Sequence, residues 1–277
     1  GATVDAGPFD RASGPPIVIA AGGAGEEDIA PFLGLLALDP EIRRAPIALV
    51  MPADRFRRQA ARIAGLAEFY RLSLRLMSAE ATGDVYDLLE AGARALAHDT
   101  VVLLAGSLSP LRSGWYGKLV AAHETLKGAV ISPTLAYEDH SVRWAGSWPA
   151  DRSEYPLSGR YAGYPLSAVT GLKLTRVAAA SFECCIMPRE ALLQAGGFSG
   201  SYLGSQQKGL DLGLRLGRSG IESYWLPSVQ MLGSDEASSL GTAATAALVE
   251  RIGQQVFAAR WAAIPVGEDN PVERISA

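Results

Sequence analysis

Short β-rich runs alternate with amphipathic helical patterns through the first two-thirds of the chain, and this alternation is what most limits its fold. Strand, helix and strand in succession need crossover connections, so the strands run mostly parallel in one sheet with helices on both faces. The first strand is Ile17-Val-Ile-Ala20, between Pro15-Pro16 and the glycines Gly22, Gly23 and Gly25. A helix follows whose acidic start, Glu26-Glu-Asp28, suits the positive end of the helix dipole; Ile29, Phe32, Leu33 and Leu36 form its apolar face, and Pro40 stops it.

The second strand is Ile47-Ala-Leu-Val-Met51, and the helix after it buries Phe56, Ala60 and Ile63. Arg55, Arg57, Arg58 and Arg62 are expected on that helix's exposed face rather than as a phosphate site. A third strand spans Leu72 to Leu76, and the next helix opens near Gly83-Asp84, where Gly92 allows close approach to the sheet. The fourth strand, Thr100-Val-Val-Leu-Leu104, is apolar on both faces, as a central parallel strand must be. It ends in Ala105-Gly-Ser107.

Later elements are a helix from Trp115 to Leu126, a strand at 129–133, a hairpin over 135–144 and a long Gly/Pro/Tyr/Ser loop at 146–172. A strand from Val177 to Met187, a short helix closed by Gly196-Gly197, a loop at 199–208, a helix from Leu210 to Ser219 and a strand from Glu222 to Leu226 follow. The last helix, 242–262, carries Leu248, Ile252 and Val256 on one stripe.

Among 277 residues, 48% are apolar and 19% charged, which excludes a disordered chain. The net charge of −4 provides no global field for nucleic acid or an anionic membrane, and no apolar run is long enough to span a bilayer. Adjacent Cys184 and Cys185 close no useful loop and read as a buried pair in a reducing, cytoplasmic setting. The start, Gly1-Ala-Thr-Val-Asp5, is neither a signal peptide nor a Met start and reads as an excised segment with neighbouring domains in a longer polypeptide.

Ligands of open parallel sheets gather at the carboxyl ends of the strands, so the segments after strands one and four are the first candidates for a site. Gly22-Gly-x-Gly25 lacks the Lys of a P-loop and the spacing of a dinucleotide loop, and the acids that follow repel phosphate.

From the fourth strand to residue 235 the chain resembles the family 2 glycosyltransferases of the GT-A fold. The resemblance rests on Val101-Val-Leu-Leu104, Pro110 and Trp115, then Leu135-Ala-Tyr-Glu-Asp-His-Ser-Val-Arg-Trp-Ala-Gly146 and Cys185-Ile-Met-Pro-Arg-Glu190. Gly196-Gly-Phe198, Leu210-Asp-Leu-Gly-Leu-Arg215, Ser219-Gly220 and Pro227 complete it. It implies a three-layer α/β/α GT-A-like domain with a mostly parallel mixed sheet. Residues 15–235 then form this domain, with a nucleotide-binding half at 15–110 and an acceptor half at 111–235, between an N-terminal tail (1–14) and a C-terminal helix and tail (236–277).

The resemblance further implies sugar transfer from a nucleotide-diphosphate donor to a glycan or lipid-linked acceptor. Carboxylates of an Asp-x-Asp motif hold Mg²⁺ or Mn²⁺ against the departing diphosphate, and an acidic residue deprotonates the acceptor. On this chain the metal motif falls on Ala105-Gly106-Ser107 and the base position on Gly209, after Lys208. A late histidine position falls on Gly233, and a uracil-binding Asp position on Met51-Pro52. Ligands for the cation are missing, so no metal or other cofactor is expected, and turnover is expected to be weak or absent.

The resemblance places Ala20, Gly22, Gly23, Glu90, Ala105, Gly106 and Ser107 at the donor and Gly197, Phe198 and Arg215 at the acceptor. Asp211 is the catalytic candidate, with a helix N-terminal acid as the competing reading. Glu138-Asp139-His140 reads first as a solvated turn, and His98 and His123 as structural. Two classes of function stay open: a weak or inactive glycosyltransferase, and a non-catalytic module that binds a sugar or nucleotide or acts as a scaffold.

Overall fold

The computed structural model describes residues 1–22, 29–80, 84–150, 155–202, 205–233 and 243–262. The elements run β1 (Thr3–Ala6), β2 (Ile17–Ala20), α1 (Ile29–Ala37), β3 (Pro46–Pro52), α2 (Ala53–Tyr70), β4 (Ser73–Ala79), α3 (Val85–Ala95) and β5 (Thr100–Ala105). They continue with β6 (Ser109–Pro110), α4 (Trp115–Thr125), β7 (Val130–Ala136), β8 (Val142–Trp144), β9 (Trp148–Pro149) and β10 (Leu157–Ser158). The last are β11 (Thr175–Val177), β12 (Cys184–Pro188), α5 (Arg189–Gln194), α6 (Ser205–Arg218), β13 (Ser223–Leu232) and α7 (Ala243–Arg260).

One sheet organises the molecule, in the order β1-β4-β3-β2-β5-β12-β7-β13-β11, with β6 on β13 and β8 on β7. Strands β4, β3, β2 and β5 are parallel neighbours, and β7 is parallel to β13. Between these blocks β12 runs antiparallel to both β5 and β7. From β2 the chain passes outward to β3 and β4 on one side and then to β5 on the other, so the strand order reverses between β2 and β5, where an open α/β sheet leaves a crevice.

The core follows the apolar runs. Strands β2 and β5 are buried at nearly every position, as expected of strands covered on two faces. Gly92 faces this sheet, and a Cβ there would stand 2.5 Å from Val18 and 2.6 Å from Val50, so glycine lets α3 lie directly on β2 and β3.

Several boundaries differ from the sequence reading. Residues 1–14, read as a tail, contribute β1, an antiparallel edge strand on β4 tied by the Asp5–Arg75 ion pair at 2.7 Å. The strand read from Val177 to Met187 is two strands, because β11 pairs with β13 while β12 crosses to the sheet centre. Helix α6 starts at Ser205, so Lys208 and Gly209 lie in the helix rather than in a loop. Strand β13 continues through Pro227 to Leu232, with its register interrupted between Leu226 and Gln230. The 146–172 segment holds β9, β10 and a 3₁₀ turn at Leu166–Ala168, and it places Trp148 in a second apolar cluster with Trp225. On α7 the stripe Leu248, Ile252 and Val256 is exposed, and the helix is anchored by buried Phe257 and Trp261.

His123 is structural, as its isolation predicts: Nδ1 lies 2.9 Å from Ala129 O and Nε2 3.4 Å from Thr100 Oγ1. Burial holds its imidazole below the ordinary value, against the pull of the Ala129 carbonyl. Because the folded pKa is the lower one, the unfolded chain binds the extra proton as pH drops below about 6.5. Stability present near neutrality is therefore expected to fall as pH passes down through the folded value. Urea midpoints at about pH 7 and pH 5 should differ more in the native protein than in His123→Gln; an equal difference would remove this contribution.

Candidate functional site at the strand ends

Two chain segments meet where β2 and β5 end. The register pairs Ala20 with Ala105, and Gly106 N donates to Ala20 O at 2.9 Å. A Cβ on Gly106 would stand 2.7 Å from that oxygen, so the close approach requires glycine. Ser107 Oγ is buried and has no hydrogen-bond partner among the described residues, a state that buried hydroxyls seldom keep without a ligand or water. Gly233, beyond the end of β13, packs against this turn: a Cβ there would lie 2.7 Å from Ser107 O, leaving no space for a histidine.

Charged side chains surround the turn. Arg55 is buried; its Nη1 donates to Ala21 O at 2.8 Å and its Nε to Gln59 Oε1 at 3.1 Å. The sequence reading that placed Arg55 on an exposed face is corrected: Arg55 and Gln59 belong to the buried stripe with Phe56 and Ile63, whereas Arg57, Arg58 and Arg62 are exposed. On the other side Ala105 N donates to Glu183 O at 2.6 Å, which seats Glu183 beside the end of β5. Arg143 grips the Glu183 carboxylate with both terminal nitrogens, at 3.4 and 2.6 Å. Its side chain is 8% exposed and that of Glu183 23%.

The third wall joins α3 to α6. Lys208 Nζ lies 3.1 Å from Asp84 and 3.0 Å from Asp87, and Asp84 also caps α3 by accepting from Tyr86 N at 2.8 Å. Burial lowers the Lys208 pKa, but the two aspartates outweigh it and hold the ammonium above its ordinary value. Gly209 stands against Tyr86, whose hydroxyl would be 2.9 Å from an added Cβ. Burial, then the charge of Glu183, pushes the Tyr86 phenol well up, so it stays protonated. Arg55, Arg143 and Lys208 thus stand against Glu183, Asp84 and Asp87 in the formal count around the strand ends, and the charges cancel.

A divalent cation does not fit this set. Hard cations need six or more oxygens with carboxylates among them, and Ala105, Gly106 and Ser107 supply one hydroxyl. The Glu183 carboxylate is gripped by Arg143, while Asp84 and Asp87 are held by Lys208. Among the described residues no group of three or more His, Cys, Asp or Glu is arranged to hold a metal.

Several residues that the resemblance assigns to a site lie elsewhere. Asp211 has no exposed surface; Tyr202 Oη (3.1 Å), Trp261 Nε1 (3.0 Å), Arg215 Nε (2.7 Å) and Arg260 Nε (3.3 Å) surround its oxygens. A carboxylate so enclosed cannot meet an acceptor hydroxyl, so its expected catalytic role gives way to that of an anchor among α6, α7 and the 196–202 segment. Arg215 is a structural hub rather than an acceptor contact: besides Asp211 it donates to Ala195 O and, at 2.7 Å, to Gly197 O. Phe198 is buried between Tyr86 and Phe182, with ring centroids 4.6 and 5.8 Å away. Glu90 caps the same turn by accepting from Phe198 N at 2.7 Å, and it pairs with Arg94. Gly197 adopts φ 73°, and any Cβ would collide with the Glu90 carboxylate. Glu90, Gly197, Phe198, Asp211 and Arg215 therefore form one lock joining α3, α5 and α6.

Ala20, Gly22, Ala105, Gly106 and Ser107 meet at the strand ends, and Gly23 lies outside the described residues. Asp139 accepts from Ser141 N and Oγ in an exposed turn, and His98 O accepts from Arg189 Nε at 2.8 Å. Cys184 and Cys185 are free and buried, and burial raises both thiols, which keeps them unreactive. Sequence reasoning missed Arg55, Arg143 and Glu183 as site residues. For Arg55 the helical period held the signal, whereas nothing in spacing links Arg143 to a glutamate 40 residues on. No helix among the described residues is long and apolar enough to cross a membrane.

No family model matches the chain, and no curated protein matches it. Among solved structures it is similar to the glycosyltransferase GalNAc-T7, crystallised with UDP, GalNAc and Mn²⁺, at a TM-score of 0.59 and 12% identity. The match covers 79% of this chain but only 43% of that protein, so the chain spans less than half its length. The likeness shows the fold: a mostly parallel mixed sheet flanked by helices, in the GT-A-like α/β arrangement.

Proposed function

We propose that this chain is a sugar-transfer domain of the family 2 kind that binds a nucleotide-diphosphate sugar at the ends of β2 and β5 without a divalent cation, and that its turnover is weak or absent. One observation carries the reading: the strand-end crevice is charge-balanced. A cleft rich in unpaired carboxylates repels a diphosphate until a cation bridges the two. Here Glu183 is paired with Arg143, Asp84 and Asp87 share Lys208, and buried Arg55 adds a third positive charge, so a diphosphate meets little net repulsion. The small residues Ala20, Gly22, Ala105 and Gly106 let a ligand approach the backbone, and Ser107 Oγ supplies a hydroxyl that has no partner among the described residues.

The weak-turnover part follows from position 209. Glycine cannot accept a proton, Asp211 is enclosed, and a missing general base alone costs about 10² to 10⁴ in rate. Those two facts also favour the second reading, a binding module without catalysis, and the two readings share one donor site.

Thermal unfolding in UDP- and GDP-sugars, each with and without Mn²⁺, tests the proposal. A sugar nucleotide at about 100 times its Kd should stabilise the fold by about 2.7 kcal/mol, and Mn²⁺ should add nothing to that. Stabilisation that appears only with Mn²⁺, or none with any sugar nucleotide, would overturn it.

A further inference from the structure

The two most exposed large apolar side chains among the described residues, Phe69 at 78% and Leu38 at 72%, stand at the same end of the sheet. Because β2, β3 and β4 are parallel, α1 and α2 both run back from the strand carboxyl ends and finish where β3 and β4 begin, opposite the crevice. Leu38 follows the end of α1, and Phe69 lies in the last turn of α2. The two helix ends touch: a Cβ on Gly34 would stand 3.1 Å from the Tyr70 hydroxyl, and the Phe69 and Tyr70 rings meet edge to face at 5.2 Å. Leu38 is one turn beyond Gly34 and Leu35 is exposed beside it, so Leu35, Leu38, Phe69 and Tyr70 form one apolar knuckle. Single exposed apolar residues are ordinary on a monomer, whereas a cluster rimmed by charge marks a contact surface.

The rim is basic. Residues 29–71 hold seven arginines against four acids, a net of +3 in a chain whose net charge is −4. Arg43, Arg44, Arg62 and Arg71 are exposed around the knuckle, against exposed Glu41 and Glu68. Arg43 Nε donates to Ala37 O at 2.6 Å, which fixes it beside Leu38 and offsets the negative end of α1. Arg71 caps α2 directly after Tyr70, and Arg62 sits two turns before Phe69 on the same side of the helix.

An occupant must suit both the knuckle and its rim. A second copy of the chain meets repulsion, because a two-fold contact sets the same arginines against one another. Side chains that stand this far out need a matching pocket in a protein partner, whereas a fluid bilayer closes around them without one and its anionic headgroups attract the arginines. We infer that this end of the domain docks on an anionic lipid bilayer, with Phe69 and Leu38 entering the headgroup–acyl boundary and the arginines reaching the phosphates. The crevice, at the other end of the strands, then stays open to water. The inference is independent of the sugar-transfer reading.

Co-sedimentation of the full chain with vesicles of phosphatidylcholine alone, and of phosphatidylcholine mixed with phosphatidylglycerol, tests the inference. At low salt the mixed vesicles should bind roughly tenfold more tightly than the neutral ones, and the difference should shrink as ionic strength rises. Phe69→Ser and Arg62→Glu should each weaken binding to the mixed vesicles roughly fivefold or more. Both side chains are exposed, so the urea midpoints of these variants should stay near the native value. Leu248→Ser, on the exposed stripe of α7, should leave vesicle binding unchanged. No binding to the mixed vesicles, equal binding to neutral ones, or indifference to both Phe69→Ser and Arg62→Glu would overturn the inference, as would loss through Leu248→Ser instead. Binding to poly-glutamate in preference to the vesicles would also overturn it and give this face to an acidic protein.

Discussion

Asp211→Ala is expected to destabilise the protein by about 3 to 5 kcal/mol, the cost of leaving a buried cation without its partner. Arg215 is largely buried and its Nε is held by Asp211 at 2.7 Å, and the same carboxylate takes Tyr202 and Trp261. Asp211→Asn keeps the shape and one acceptor, so its loss should be smaller. In the folded Asn variant the affinity for a sugar nucleotide should match that of the native protein, because the side chain does not reach the crevice. Urea denaturation followed by nucleotide titration separates the two roles. A stable alanine variant with lost nucleotide binding would return Asp211 to the site.

Arg143 and Glu183 provide the second large effect, and its sign depends on which partner is removed. Arg143→Met leaves the Glu183 carboxylate uncompensated, on the residue whose backbone carbonyl accepts from Ala105 N at the proposed diphosphate site. A destabilisation of about 2 to 3 kcal/mol is expected, below the limit for a fully buried pair because Glu183 is 23% exposed. UDP affinity should fall roughly tenfold, a change of about 1.4 kcal/mol. Glu183→Gln removes the repelling charge and should tighten UDP. Calorimetric titrations of both variants at two salt concentrations read the effect, since a charge contribution shrinks with ionic strength. Affinities that move together, or not at all, would sink the charge-balance argument.

The parallel block β4-β3-β2-β5 was legible because buried strands and amphipathic helices leave different periods in the sequence. Ile17–Ala20 and Thr100–Ala105 are apolar on both faces, and α2 repeats its buried residues at helical spacing. Edge strands left less trace. Thr3–Ala6 has one buried residue, and its partner β4 lies about seventy residues further on, so nothing local marks it as a strand. The split between β11 and β12 was hidden for a related reason: Ala178 to Phe182 is as apolar as the strands it separates, and only pairing partners distinguish them.

The motif residues repay closer reading. Gly197, Phe198, Asp211 and Arg215 are recognisable because one arrangement of α3, α5 and α6 needs that glycine, that ring and that ion pair at those distances. They therefore report architecture, which explains how the chain resembles a transferase fold while the positions assigned to its chemistry hold Ala105, Gly106, Ser107 and Gly209.

By itself, the sequence determined the layered α/β fold and the strand ends as the place to look, and it shows Ala105-Gly106-Ser107 and Gly209 at the two positions to which the family resemblance assigns acids. These follow from local periodicity and from residue identity, which one chain segment states without reference to another. Only the tertiary structure decided what each charged group does. It enclosed Asp211, turned Arg55 inward to Ala21, and joined Arg143 to Glu183 across 40 residues. The physical reason is that a side chain's charge is written in the sequence, whereas its partner, its exposure and hence its energy are set by groups brought near it only when the chain has folded.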